Sequence, residues 1–240
     1  MTDYSQELLA AARPFWEAEA EIASRFFNGN PSKDDHLYWL RAQLWKELHP
    51  VDGYFSGIQQ ELMNLVEMFP KIDKDVNRHR FAFLLQQMLE EFNHYVLFAD
   101  IFEFIAERQI DLSVDLMQLP QEKKLQELRR RYATSGSAMD KAAVLFTEGG
   151  GAMLFREGAK VKGGKAEKMI ADAMQVIYDD EKDHFLEGAK ESAELIHSKE
   201  DAERMKAAIA DVSRQRVAMR LEMFRYPMTE EQTKQFILAA

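Results

Sequence analysis

Apolar residues recur along almost the whole chain at intervals of three and four positions, the spacing that places side chains on one face of an α-helix. Strict alternation of apolar and polar residues, which is typical of strands, is nearly absent. Glycine and proline number only 11 and 6 in 240 residues, which favours long helices over many turns. We therefore predict an all-α protein. The predicted helices cover about residues 4–27, 32–48, 54–69, 73–109, 137–161, 165–197 and 199–225, with one more inside a crossover at 110–137 and a tail from Pro227 onward.

The predicted helix at about 73–109 is apolar around nearly its whole circumference, so we expect it to be buried in the middle of the fold. No low-complexity linker divides the chain, and residues 1–240 are therefore interpreted as one domain. Within it we expect a helical bundle core over about 54–197, with flanking helices at 4–48 and 199–225.

Composition narrows the classes of function. The chain has 41 acidic and 31 basic side chains, and its formal charge of −10 argues against binding to nucleic acid or to an anionic membrane. It contains no cysteine, which excludes disulfides, thiolate metal sites and thiol catalysis. The N-terminal residues do not resemble a secretory signal, and no apolar run is long enough to span a membrane. We expect a cytoplasmic protein.

Two of the apolar stripes contain a carboxylate and an imidazole three positions apart. Glu91 and His94 lie in the central helix, and Glu181 and His184 lie in the long late helix. Residues at positions i and i+3 of a helix point the same way, so each pair presents both groups to a common point. Carboxylate oxygen and imidazole nitrogen together are ligands for iron, manganese or zinc.

A further glutamate precedes each pair on an apolar helical face. Glu61 precedes the first pair and Glu148 the second, each about as far from the intervening turn as the pair itself. In an antiparallel hairpin, equal distance from the turn means equal height, so both hairpins place their carboxylates at one level. Converging carboxylates repel unless they take up protons or bind cations, and the pattern therefore predicts a two-metal site. If Glu61 instead faces solvent, Glu67 or Glu47 is the alternative first ligand.

This repeated arrangement resembles the ferritin-like di-iron carboxylate proteins. The resemblance covers about residues 54–197 and implies a ferritin-like four-helix bundle with additional flanking helices. The metal ligands it implies are Glu61, Glu91, His94, Glu148, Glu181 and His184. The residue before each Glu-x-x-His motif is also acidic, Glu90 and Asp180. In bacterial multicomponent monooxygenases an acid at that position orients a ligand histidine, and the resemblance implies the same role here.

The resemblance implies O2-dependent chemistry at two iron ions, with manganese as an alternative metal. We expect an oxygenase or oxidase that acts on a small organic substrate and takes electrons from an external reductase or ferredoxin. Phe98 stands where the radical subunit of ribonucleotide reductase carries its tyrosine, which argues against radical storage. A ferroxidase or iron-binding protein and a dimanganese catalase stay open as alternatives on the same ligands, and a homodimer stays open as the assembly.

A glycine triplet beside the predicted site suggests space for a substrate. Gly149, Gly150 and Gly151 directly follow Glu148, where they remove side-chain bulk next to the metals. The alternative is that they only allow close packing of helices. An apolar pocket would shield a reactive oxidant from water. The residues expected to form this pocket are Gly149, Gly150, Gly151, Tyr95, Phe98, Phe155, Ile177 and Tyr178.

Overall fold

The computed structural model describes residues 4–49, 78–146, 148–182 and 184–239, and within these ranges every regular element is an α-helix. The predicted all-α class is therefore confirmed. None of the described helices is both long enough and apolar enough to cross a membrane. The helices are α1 (Tyr4–Asn28), α2 (Lys33–Leu48), α3 (Arg78–Ala106), α4 (Pro120–Ala133), α5 (Ala138–Leu145), α6 (Glu148–Gly158), α7 (Lys165–Glu181), α8 (His184–Glu194), α9 (Lys199–Met223) and α10 (Glu230–Ala239).

Serine caps fix helix beginnings, as in α2 and α9. Ser32 precedes α2, and its side chain accepts a hydrogen bond from the backbone N–H of Asp35, whose carboxylate bonds back to the backbone of Ser32. Ser198 caps α9 through the backbone N–H of Asp201 in the same way. Each cap satisfies backbone donors that the first turn of a helix leaves without an internal partner. Both helices begin where the sequence predicts them.

Two predicted helices are divided. The helix predicted over 137–161, with an interruption at Gly149–Gly151, is two helices, α5 and α6. The predicted position of the interruption is wrong, because the break lies at Phe146 and the glycine triplet lies inside α6. The helix predicted over 165–197 is also two helices, because α7 ends at Glu181 and α8 begins at His184. Hydrophobic periodicity continues across both breaks, and for this reason it does not reveal them.

The prediction of a tail from Pro227 onward is wrong, because residues 230–239 form α10. The side chain of Thr229 accepts a hydrogen bond from the backbone N–H of Gln232, at 3.1 Å. The Gln232 side-chain oxygen accepts one from the backbone N–H of Thr229, at 2.8 Å. This reciprocal pair is a capping box, a signal that is readable in the sequence. Thr233, in the first turn, is buried.

The helices predicted to flank the bundle contribute to its main core. In that core Ile22 of α1 and Trp39 of α2 join Phe98 and Phe102 of α3, and all four are at most 1% exposed. The Trp39 and Phe98 rings meet edge to face with centroids 5.8 Å apart. Helix α2 packs on α3, α3 on α7, α7 on α6, and α6 on α1. The N-terminal helices therefore lie next to helices that carry predicted metal ligands.

Helix α3 is not buried on all sides, which corrects the sequence-based expectation. An apolar stripe on α3, at Leu85, Leu89, Phe92 and Val96, is 36–63% exposed. Phe98, by contrast, is fully buried. Among the described helices, α2 and α7 are those that pack extensively on α3. Two neighbours cover part of a helix circumference, so an apolar pattern around the whole helix does not establish burial around the whole helix.

A buried ion cluster ties the first long helix to the last. Glu19 of α1 accepts hydrogen bonds from Arg216 Nε of α9 at 2.8 and 3.0 Å, and one from Arg220 Nε at 3.1 Å. The side chains of Glu19 and Arg220 are each 1% exposed. Buried charges require such partners, because removing either ion from water without compensation costs several kcal/mol.

A second carboxylate fixes the loop after α3. Asp115 is fully buried and accepts hydrogen bonds from both terminal nitrogens of Arg108, at 2.6 and 2.7 Å. The guanidinium of Arg41 adds contacts at 3.3 Å, and the backbone N–H of Asp111 donates at 2.9 Å. These contacts, led by the hydrogen bonds from Arg108, lower the pKa of Asp115 to about 2.

The substitution Asp115→Asn is expected to lower the free energy of unfolding at pH 7 by about 2 kcal/mol, since the arginines lose a charged acceptor. Because the pKa is lower in the folded than in the unfolded chain, this stabilisation is present above about pH 4 and is lost as the pH falls toward about 2. Urea unfolding of both proteins at pH 7 and at pH 3 measures the difference. A difference that does not shrink at pH 3 would contradict this interpretation.

Candidate metal centre

The first Glu-x-x-His motif lies on α3 where the helix enters the core. His94 is 2% exposed, and its Nδ1 lies 3.8 Å from Oε2 of Glu91, one turn earlier. Glu91 is partly buried. The i, i+3 spacing thus brings the carboxylate and the imidazole to the same side of the helix, as the sequence predicts.

A third donor comes from α2. Glu47, in the last turn of α2, is partly buried and faces the motif on α3. One ligand atom from each of Glu47, Glu91 and His94 lies within 4.8 Å of the other two. Donors that bind one metal at about 2.1 Å lie roughly 3–4 Å apart, so these three groups need only a small closure to share an ion.

The other ring nitrogen of His94 faces an acid on α7. Nε2 of His94 lies 3.2 Å from Oδ2 of Asp180. When Nε2 carries the ring proton and donates it to this carboxylate, Nδ1 keeps its lone pair on the side of Glu91. A carboxylate in this place fixes both the tautomer and the ring orientation of a metal-binding histidine.

Electrostatics make this region favourable for a cation. Burial raises the pKa of the Glu47 carboxyl above its usual value, while His94 and a hydrogen bond from Gln43 act in the opposite direction. Glu181 of α7 raises it further by like-charge repulsion. Three acidic side chains, those of Glu47, Glu91 and Asp180, therefore lie around His94, and Glu181 is near enough to repel the charge of Glu47. A bound divalent cation would relieve the repulsion among them.

The structure places some of the expected ligands and leaves others undescribed. Glu91 and His94 are adjacent, and Glu181 lies close enough to influence Glu47. Glu61 lies outside the described residues, and of Glu148 and His184 the backbone alone is described. Glu90, expected beside the motif as an orienting acid, accepts a hydrogen bond from Gln86 on its own helix at 2.7 Å.

The glycine triplet lies against other helices. A Cβ atom added at each glycine of 149–151 would lie less than 3.0 Å from a side-chain atom of Trp16, Glu19 and Arg216 respectively. Because Trp16 and the ion cluster occupy this space, the contacts favour the alternative that the glycines allow close packing of α6 on α1.

Three of the residues expected to line a pocket lie in the main core. Phe98, Phe155 and Ile177 are buried, and the Phe98 and Phe155 rings lie 6.3 Å apart. Tyr95 and Tyr178 are partly buried against the same core. Phe98 follows His94 by one helical turn, so a continuous apolar layer begins immediately beyond the candidate ligands.

The position of Glu47 on a buried helical stripe is a sequence feature that, together with the packing of α2, identifies it as part of the site. In α2 the polar residues Gln43 and Glu47 continue the stripe of Leu40 and Leu44, which are fully buried. A polar pair at helical spacing on a buried stripe requires polar partners, which here are supplied by α3 and α9.

Comparison of the sequence with protein-family models and with curated proteins finds no match.

Proposed function

We propose that the protein is an O2-dependent oxidoreductase with a non-haem di-iron site, built on a ferritin-like helical bundle. The observation that carries this proposal is the convergence of Glu47, Glu91 and His94 within 4.8 Å. Two carboxylates and one imidazole are ligands suited to Fe(II) or Mn(II). The chain has no cysteine, whose thiolate would favour softer metal ions. Three protein donors also leave coordination positions for water, O2 or substrate.

The second metal position would use residues of the other motif. Glu181 is near the cluster of Glu47, Glu91 and His94. Glu148 and His184 are the other two ligands that the second Glu and Glu-x-x-His arrangement of the sequence predicts. Glu47, Glu61 and Glu67 are then the candidates for the single carboxylate that faces the first motif, and the last two lie outside the described residues. The contact between Glu47 and the motif supports Glu47.

Each group of the chain has a distinct task in this proposal. Glu47, Glu91 and His94 would hold iron, which when bound would supply the redox chemistry for O2 activation. Asp180 holds the proton on Nε2 of His94 and keeps Nδ1 directed at the metal position. The core layer that begins at Phe98 excludes water behind the site.

The proposed substrate is a small organic molecule. Monooxygenation takes two electrons from a substrate C–H bond and two electrons with two protons from an external reductase or ferredoxin. One oxygen atom enters the product and the other leaves as water. The described residues contain no thiol or nucleotide-binding fingerprint that would supply the second pair of electrons from within the chain.

Metal analysis tests the proposal directly. Protein from cells supplied with iron and manganese is analysed for metal content, then loaded anaerobically with Fe(II) and exposed to O2 while the visible spectrum is recorded. Two irons per chain, a transient visible band and O2 uptake that depends on an organic substrate would support the oxygenase. Many irons per chain would favour a ferroxidase, and two manganese ions with rapid peroxide disproportionation would favour a catalase. Absence of bound metal would overturn the proposal.

The role of Glu47 has its own test. The substitution Glu47→Gln is expected to lower the affinity for Fe(II) or Co(II) at least about tenfold, because a neutral amide replaces a charged ligand. Glu61→Gln is measured beside it, and the exposed Glu127→Gln on α4 serves as the matched control, with unchanged affinity expected. If Glu47→Gln binds metal like the unmodified protein while Glu61→Gln does not, Glu61 is the ligand and the assignment of Glu47 is wrong.

A further inference from the structure

A buried amide lies directly behind the Glu47 ligand. Gln43 is one helical turn before Glu47 on α2 and is 3% exposed. Its neighbours on the stripe, Leu40 and Leu44, are fully buried. A primary amide in such surroundings must find hydrogen-bond partners for both its oxygen and its nitrogen, or lose stability.

Gln43 has a different partner at each end of its amide. Nε2 donates to Oε1 of Glu47, and Oε1 accepts from a terminal nitrogen of Arg220 on α9 at 3.1 Å. A guanidinium only donates and an ionised carboxylate only accepts. If the amide were reversed, its N–H groups would face the guanidinium of Arg220 and its oxygen would face the carboxylate of Glu47. These partners therefore allow one orientation of the Gln43 side chain.

Arg220 is itself fixed. Its Nε donates to Glu19 of α1 at 3.1 Å, and the same carboxylate accepts a hydrogen bond from Nε of Arg216. Glu19 and Arg220 are each 1% exposed. The chain of contacts therefore runs from α1 through α9 to Gln43 and ends at the carboxylate of Glu47. Buried networks in which every member is satisfied hold side chains in one arrangement.

We infer that Gln43 is a positioning residue for the Glu47 ligand, and that Arg220 and Glu19 set the direction of its amide. The inference rests on the proposed metal site. Gln43 donates to Oε1 of Glu47, which restricts rotation of the carboxylate that a cation would share with Glu91 and His94. Ligating carboxylates are commonly held by such hydrogen bonds, and loss of one lowers metal affinity by about 10- to 100-fold.

Co(II) titration of the full chain, followed by visible absorption, tests this role. Gln43→Met removes both hydrogen bonds with little change in volume, and Gln43→Asn keeps an amide that is too short to reach both partners. Both variants are expected to bind Co(II) about 10- to 100-fold more weakly and to alter the Co(II) absorption bands. Gln215→Met is the matched control, because the amide of Gln215 on α9 donates to Gln121 of α4, at 3.0 and 3.1 Å, instead of to Glu47. The control should retain the original affinity and spectrum.

A double-mutant cycle separates positioning from general destabilisation. Gln43→Met is expected to weaken Co(II) binding in the original chain but to have little further effect in a Glu47→Gln background, because the ligand that it positions is already lost. An equal effect in both backgrounds would assign Gln43 a purely structural role and overturn the inference, as would unchanged affinity in both single variants. If the unmodified chain binds Co(II) and the Gln43 variants bind it with the same affinity, the inference fails alone. If the unmodified chain binds none, the proposed function fails with it.

Discussion

His94→Ala is expected to lower the affinity for Co(II) or Fe(II) by more than about 100-fold, a larger loss than substitutions that act beyond the ligands produce. His94 supplies the imidazole nitrogen of the cluster and is buried between Glu91 and Asp180. Removing the ring takes away one of the three proposed ligands and leaves Glu91 and Asp180 without the imidazole that lies between them. Metal content after dialysis and Co(II) titration measure the loss.

His79→Ala provides the control for this substitution. His79 is also on α3 but is exposed, so its removal is expected to leave metal affinity unchanged. Circular dichroism of both variants establishes that the helices are retained. Metal binding by His94→Ala at the original affinity would show that the cluster on α2 and α3 is not the metal site.

The largest effect on stability is expected from Glu19→Gln, which should lower the free energy of unfolding by about 3–5 kcal/mol. Two arginines that are at most 8% exposed would lose their charged partner, and an amide cannot accept from both without turning its own N–H groups toward a cation. Urea unfolding at pH 7 measures the change.

Glu21→Gln is a matched control only two residues away. Glu21 pairs with Arg25 at 2.7 Å across one turn of α1, and both side chains are partly exposed. Such surface pairs contribute about 0.3–0.5 kcal/mol. Similar small losses from both substitutions would mean that the buried cluster does not stabilise the fold as its geometry indicates.

Local features of the fold were readable from the sequence. Ser32 and Ser198 mark helix beginnings, and the spacing of Glu91 and His94 places them together, because each relation spans one helical turn. The capping box at Thr229 is equally local, and it indicates the beginning of α10 where hydrophobic periodicity predicts a tail.

Relations between distant helices were not readable in the same way. The contact between Glu47 and the α3 motif depends on which helices pack together, and α2 packs on α3 through apolar residues that could have matched several partners. The same holds for the glycine triplet, whose neighbours Trp16, Glu19 and Arg216 come from both ends of the chain. Periodicity identifies the face that is buried but not the helix that buries it.

The link between Glu19 and Arg220 also has a consequence for the order of folding. The partners of Glu19 lie 197 and 201 residues further along the chain. During synthesis, which proceeds at about 5–20 residues per second, α1 is complete many seconds before Arg220 exists. Contacts of such high sequence separation slow folding. The nascent chain therefore holds an acid that cannot yet be buried, so the core around α1 can close only late in translation or after release from the ribosome.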